Sequence, residues 1–465
     1  MAARPDPFAG KLSALAMSHH TLEQLHSGQL AGATHLKLAC GLTELPSAVF
    51  TLADTLEVLD LSGNHLTSLP DDLPHLHKLR VLFASNNRFT ALPAVLGQCK
   101  ALTMIGFKAN EISHVPADAL PPLLRWLILT DNQIGELPAS TGNCRQLEKL
   151  MLAGNQLRGL PPELAQCRQL ALLRVSANSL GSLPGWLLQM PRLAWLAFAA
   201  QEGNLGGDET APISKVNHPD DIAWTRLQLA GVLGEGASGT IYGAEMDAGT
   251  PAAIAVAVKL FKGEMTSDGL PESEIATALQ AGQHPHLITA LGRLTGHPDH
   301  RRGVVMPRIA VNFQALAAPP SMASCSRDIY AADASFTHRQ IAAIGYSMAS
   351  AAQHLHKHGV LHGDVYAHNI LVSGEHALLG DFGAASFIAP HHVEHAQALQ
   401  RIEVRAFGYL LQELLARCSD LHAASHTTGT ELPNLRDACL DESPARRPSF
   451  DAISQAFEAM RNTAR

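Results

Sequence analysis

Between residues 46 and 184 a leucine- or valine-proline pair recurs in register at Pro46, Pro70, Pro93, Pro116, Pro138, Pro161 and Pro184, with intervals of 24, 23, 23, 22, 23 and 23 residues. Asparagine recurs in step at Asn64, Asn87, Asn110, Asn132, Asn155 and Asn178, each closing an L-x-x-L-x-L-x-x run or a close variant. One unit this short cannot bury its own apolar face, so such a period confines the amino-terminal part of the chain to a stack of equivalent coils. Leucines two apart on a short strand, such as Leu59 with Leu61 and Leu150 with Leu152, point inward. The asparagine turns the chain, and its amide can satisfy backbone groups of the adjacent coil.

This pattern resembles the leucine-rich repeat. The resemblance implies an α/β leucine-rich repeat solenoid over residues 31–200, with about seven repeats and an amino-terminal cap in 1–30 that begins at Thr21–Leu30. Cys99, Cys144 and Cys167 each precede a repeat asparagine by 11 residues, so they stack as small interior residues. Seven cysteines, odd in number and without metal spacing, suggest free thiols in a reducing compartment. Two rows face outward on the concave sheet. Val58, Val81, Met104, Trp126, Lys149, Leu172 and Trp195 form one; Asp60, Phe83, Gly106, Ile128, Met151, Arg174 and Ala197 form the other. Scattered exposed apolar residues are ordinary. Contiguity of Phe83, Met104, Trp126, Ile128 and Met151 across neighbouring repeats instead predicts a binding patch, for a protein partner or for the rest of this chain.

Residues 362–383 read H-G-D-V-Y-A-H-N-I-L-V-S-G-E-H-A-L-L-G-D-F-G. His362, Asp364, Asn369 and the triplet Asp381-Phe382-Gly383 carry two carboxylates and an amide at a spacing that packing explains poorly. Phosphoryl transfer needs such a set: an acceptor for the attacking hydroxyl's proton, and oxygen ligands that hold magnesium on a triphosphate. Upstream, Gly234-Glu235-Gly236-Ala237-Ser238-Gly239-Thr240-Ile241 spells G-x-G-x-x-G, which alone is weak because dinucleotide-binding folds share it. Here a second strand-like run follows, Ile254–Val258, ending in Lys259. That predicts a hairpin lid, whereas the dinucleotide motif opens a helix and expects an acidic residue about 20 positions on. A G-x-x-x-x-G-K-[ST] phosphate loop is not present in the sequence. A lysine at a strand end is commonly just solvated; one beneath a glycine lid is placed to clamp phosphates and is usually kept there by a carboxylate on a neighbouring helix. Glu272 and Glu274 are the choices, and Glu274 sits nearer the expected distance before His284-Pro285.

From about residue 225 to 465 these blocks together resemble the eukaryotic-type protein kinases. The resemblance implies an α+β bilobal protein kinase fold over 223–465, after a linker at 201–222. It implies ATP and Mg2+ as cofactors, Asp364 as catalytic base, Asn369 and Asp381 as metal ligands, and Lys259 paired with Glu274. Gly234, Glu235, Gly236, Ala237, Ser238, Gly239 and Ile241 would cover the nucleotide, with Met306 guarding the back of the adenine pocket. Glu403–Gly408 resembles the D-V-W-S-x-G start of the large-lobe helix with glutamate for aspartate, and Pro444–Pro448 the late P-x-x-R-P element.

The departures carry information too. The usual arginine before the catalytic aspartate is Gly363. If Ala389-Pro390-His391 stands for the family's A-P-E, only residues 384–388 separate it from the metal triplet, and Ser386 is the single hydroxyl between Ala384 and Ile402. This predicts an enzyme not switched by activation-loop phosphorylation. Histidine at 391 leaves Arg447 without the family's glutamate, for which Glu394 is a candidate substitute, and Tyr366 stands where serine/threonine kinases usually place a lysine. Small-molecule kinases of the aminoglycoside and choline type also read H-G-D, but generally lack D-F-G and an Arg447-like element. A non-catalytic scaffold is disfavoured because Lys259, Asp364, Asn369 and Asp381 are all present.

Ile341, Ile344, Met348, Ala352 and Leu355 form an apolar stripe at helical spacing, ended by His354, His356 and His358 before the catalytic loop. The cluster His391, His392 and His395 reads as surface histidines rather than a metal site. Net charge is −8 with no basic run, which argues against nucleic acid. Met1–Gly10 lacks an apolar signal core and no run of 18 apolar residues could span a bilayer. The expectation is a cytoplasmic ATP-dependent protein kinase, acting on serine or threonine, whose repeats bind a protein.

Overall fold

The computed structural model describes residues 19–199, 221–236, 238–388, 393–420 and 428–463. Ala237, the A-P-H at 389–391, His392 and most of the expected linker lie outside them. The chain divides into two compact units: residues up to Arg192 with Pro320–Arg327, and Leu193–Pro319 with Asp328–Arg465.

The first unit opens on a short helix, α1 (Leu22–His26), set by a capping box. Thr21 Oγ1 accepts from the Gln24 N–H at 3.1 Å while Gln24 Oε1 accepts from the Thr21 N–H at 2.9 Å. Seven three-residue strands follow: β1 (His35–Lys37), β2 (Val58–Asp60), β3 (Val81–Phe83), β4 (Met104–Gly106), β5 (Trp126–Ile128), β6 (Lys149–Met151) and β7 (Leu172–Arg174). They pair in parallel, in the register the repeat spacing dictates: Val58 beside Val81, Met104, Trp126, Lys149 and Leu172. The middle residue of each strand points inward, and Leu59, Leu82, Ile105, Leu127, Leu150 and Leu173 are fully buried. The asparagines ladder the coils together. Asn87 Oδ1 accepts from Leu66 N at 2.9 Å, and its Nδ2 donates to Leu61 O at 2.9 Å, one coil back. Cys99, Cys144 and Cys167 are buried thiols, and desolvation raises their pKa values to about 11, 12 and 11.

Part of the concave face departs from expectation. Val58, Val81 and Met104 are buried, with Phe83, Trp126 and Met322 packed against them. The repeat register alone predicts that these positions face solvent. The unit's own Pro320–Arg327 segment, far away in sequence, contributes Met322 to this packing. Lys149 also leaves the open row: it is buried, with its ammonium 4.5 Å from the Trp126 ring centroid.

The second unit contains one further strand of repeat type, β8 (Trp195–Ala197). After β9 (Ile222–Ala223) come three long strands, β10 (Leu227–Glu235), β11 (Gly239–Met246) and β12 (Ile254–Phe261), then α3 (Pro271–Gln280), β13 (Gly292–Thr295) and β14 (Gly303–Pro307); α2 (Gly185–Leu188) lies earlier, in the first unit. The sheet order is β10-β11-β12-β14-β13-β9. Val256, Val258 and Leu260 alternate inward on β12 to form its core with Ile222, Ala244, Leu294 and Val305. The helical part contains α4 (His338–Lys357), α5 (Val393–Leu415), α6 (Thr428–Cys439) and α7 (Phe450–Thr463). Ile341, Ile344, Met348, Ala352 and Leu355 are buried along α4. Short strands β15 (Gln314–Ala315), β16 (Val360–Leu361), β17 (Ile370–Ser373), β18 (His376–Leu379) and β19 (Ser386–Phe387) flank the catalytic-loop sequence.

One boundary is corrected. Glu403 lies in the middle of α5 rather than at a helix start. The ten residues before it continue the helical stripe, with Leu399 and Ile402 each 1% exposed, so burial at i, i+3 extends the helix backwards.

Candidate active site

Strands β10 and β11 are antiparallel, with Gly234 opposite Ile241 and Glu235 opposite Thr240. The glycine run is thus a hairpin turn, as its flanking β-branched residues dictate, and not a helix opening. Gly236 N donates to Gly239 O at 2.9 Å across the turn. Lys262, which no sequence motif marks, donates to Gly236 O at 3.0 Å and pairs with Glu235 Oε1 at 2.7 Å. Met306 is half-buried on β14, paired with Ala257.

Lys259 emerges from β12 with its ammonium 2.5 Å from Glu274 Oε1 on α3 and 3.6 Å from Asp381 Oδ1. The alternative, Glu272, is an exposed partner of Arg302 instead. Lys259 and Glu274 are buried, whereas half of the Asp381 side chain is open. Desolvation works against the charge on Lys259, but Asp381 and Glu274 outweigh it and raise its pKa. Glu274 is pushed up to about 7, by burial first and by Asp381, against the pull of Lys259. Asp381 also suffers desolvation, yet Lys259 and the Gly383 N–H hold its carboxyl below the usual range. Two carboxyls share one ammonium, so the buried one takes a proton first and the one open to solvent stays charged.

Asp381 adopts φ +58° and its Oδ1 accepts from Gly383 N at 3.1 Å. Phe382 is buried against the His362 ring, 5.3 Å between centroids, and His362 Nε2 lies 3.0 Å from Gly380 O. Asn369 Nδ2 donates to both Asp364 O, at 3.0 Å, and Asp364 Oδ2, at 2.9 Å. The nitrogen end of that amide is therefore committed to Asp364, which leaves its oxygen as the atom for a cation. Asn369 and Asp381 offer hard oxygen donors, and two such ligands completed by phosphate oxygens and water are what Mg2+ takes. The residues present fit that ion.

Other supports were not legible in the sequence. His368 Nδ1 lies 2.7 Å from Asp328 Oδ1 and its N–H donates to Asp328 Oδ2 at 3.0 Å. Burial opposes the charge on this imidazole, but Asp328 raises its pKa nonetheless. Glu403 is buried, accepting from Gly363 N on Oε1 at 2.7 Å and facing His356 Nε2 from Oε2 at 2.7 Å. Arg447 donates to the main-chain carbonyls of Asp441 and Arg401, both at 2.9 Å, while Glu394 is exposed at the start of α5.

Residues 227–423 match the family model described as protein tyrosine and serine/threonine kinase, and residues 34–89 match that of the leucine rich repeat. Fibroblast growth factor receptor 1 of Xenopus laevis is 25% identical over 300 residues, 53% of this chain and 36% of that protein. Its Pleurodeles waltl counterpart is 27% identical over 198 residues, 39% of this chain and 24% of the receptor. Human leucine-rich repeat and calponin homology domain-containing protein 1 is 32% identical over 99 residues, 21% of this chain and 14% of that protein. The chain thus spans about a quarter to a third of the receptors' length.

Proposed function

We propose that this chain, in which a leucine-rich repeat region is followed by a protein kinase domain, transfers the γ-phosphoryl group of ATP to a protein hydroxyl. One observation carries the reading: the Lys259 ammonium lies between Glu274 and Asp381. Asp364 accepts the proton of the attacking hydroxyl, its carboxylate steadied by the Asn369 amide. Lys259 clamps phosphate oxygens beneath the Gly234–Gly239 turn, and Glu274 fixes the clamp's position. Asn369 and Asp381 would hold Mg2+, which would neutralise charge on the phosphates. The matched family model covers both acceptor classes, so serine or threonine as acceptor rests on the sequence reading alone.

For the repeats we propose protein recognition by the concave face. Ile128 and Met151 remain half-exposed there, while Phe83, Trp126 and Met322 pack against the buried cluster of Val58, Val81 and Met104. Incubation with labelled ATP and Mg2+, alone and with candidate proteins, tests the enzyme. Asp364→Asn is expected to lower the rate roughly 10²–10⁴-fold, the usual worth of a positioned general base. An unchanged rate refutes the assignment, and phosphotyrosine as the sole product moves the acceptor class.

A further inference from the structure

We propose that Trp195 is a positioning residue of the catalytic loop, and that its strand does the work an activation-loop phosphate does elsewhere in the family. The inference rests on the kinase reading and deepens it. Trp195 is 2% exposed. Its ring stacks on Tyr366, with centroids 4.2 Å apart and planes 7° from parallel, and on Tyr409 of α5 at 5.4 Å and 18°. Its Nε1 donates to Val365 O at 3.3 Å, a contact 170 residues apart in sequence. One side chain therefore holds both residues that follow Asp364.

The end of the same strand grips the segment beyond the metal triplet. Phe198 N donates to Ser386 Oγ at 3.1 Å, and Ser386 Oγ donates to Ala384 O at 3.4 Å. Ser386 is fully buried, so the lone hydroxyl of this segment serves as a hydrogen-bonding post. Gly363 is what permits the approach. It has φ +72°, and a Cβ there would come within 2.6 Å of Leu196 O and 2.7 Å of Ala384 O. The arginine usual at this position would need that space. Glycine here thus removes the phosphate-reading side chain and admits the backbone that replaces it. On its far side Tyr366 meets His368 at 5.0 Å between centroids, and His368 is fixed by buried Asp328. The loop from Gly363 to Asn369 is clasped from both ends of this stack.

The test uses the full chain and four forms: unaltered, Trp195→Leu, Trp195→Phe and Ser386→Ala. Phosphoryl transfer, Mg-ATP binding by calorimetry and amide hydrogen exchange are measured on each. Trp195→Leu is expected to lower kcat on the order of 10²-fold, the penalty for a slightly misplaced catalytic group, with KM for ATP held within about twofold. Trp195→Phe, which keeps a stacking ring, should restore most of the loss. Amides of residues 363–369 should exchange faster in Trp195→Leu and in Ser386→Ala, with those of β10–β12 unchanged. A kcat that does not move, a phenylalanine that restores nothing, or faster exchange spread evenly over the unit overturns the proposal and leaves Trp195 a packing residue. If the unaltered chain neither binds Mg-ATP nor transfers phosphate, the kinase reading fails separately. The exchange pattern then still decides whether Trp195 holds the loop.

Discussion

The main-chain N–H of Gly363 donates to Glu403 Oε1 at 2.7 Å, tying the residue before the proposed base to the middle of α5. The other oxygen of that carboxylate faces His356 Nε2 at 2.7 Å, and the glutamate is 1% exposed. Removing it strands a buried N–H and a buried imidazole together. Glu403→Ala is expected to lower the unfolding free energy by roughly 2–5 kcal/mol, since each buried polar group left without its partner costs about 1–3 kcal/mol. Urea unfolding measures this; a loss below about 1 kcal/mol, the size of an ordinary hydrogen bond, refutes it. The pH sign follows from the carboxyl's position. Desolvation pushes it up, but the His356 side chain and the Gly363 N–H outweigh that and hold it below its ordinary value. Its contribution is therefore complete at neutral pH and disappears only as the solution becomes acid enough to protonate the folded state.

Met322 gives a second prediction. It packs on Val58, Val81 and Met104 beside Phe83 and Trp126. Its segment is braced internally: Ser321 N donates to Ser324 Oγ at 2.9 Å and Cys325 N to Ser321 O at 3.0 Å. Met322→Asp sets a carboxylate against the apolar cluster, forfeiting part of the roughly 1.5–3 kcal/mol that full burial of a methionine is worth and adding desolvation of a charge. The segment should then release, uncovering the concave patch. Limited proteolysis within 320–327 should accelerate and binding of a hydrophobic dye should rise. Cleavage and dye binding equal to those of the unaltered chain would show that Met322 is not what covers the patch.

How much of this was legible depends on the range of the forces involved. The repeat strands and their register follow from a period imposed by stacking, and Leu59, Leu82 and Ile105 lie where that period puts them. Lys259, Glu274, Asp364, Asn369 and Asp381 could be selected because phosphate chemistry restricts residue type and spacing. Trp195 could not be placed. Its repeat position assigns it to the concave row, yet its burial comes from Tyr366 and Tyr409, contacts that no local period encodes. Asp328 was equally silent, since nothing in its neighbourhood marks it as the partner of His368, 40 residues on. Met322 lies in a polar stretch whose destination is set by a surface more than two hundred residues upstream.

A cluster of histidines beside α3 makes the last prediction. His284 lies 4.8 Å from the His354 ring and 5.6 Å from that of His286, with His354 in turn 4.1 Å from His358. His284 Nε2 contacts Ser350 Oγ at 3.2 Å, and His354 Nε2 lies 2.8 Å from Ala281 O just past the end of α3. Desolvation first, and then the neighbouring imidazoles, lower the His284 pKa to about 4. A depressed folded-state value means that the unfolded chain binds the proton more readily. Stability linked to His284 is thus fully present above the unfolded pKa near 6.5 and is lost as the pH falls towards about 4. The ring is partly open to solvent, so screening trims the effect to roughly 1 kcal/mol, or about 2–4 °C in the melting temperature of a domain this size. Calorimetric melting between pH 7.5 and 5 should therefore show a steeper fall in the unaltered chain than in His284→Asn, which keeps a hydrogen-bonding side chain but cannot take up the proton. Parallel slopes for the two proteins would mean that the cluster's repulsion is relieved by solvent and that α3 is not sensitive to its charge.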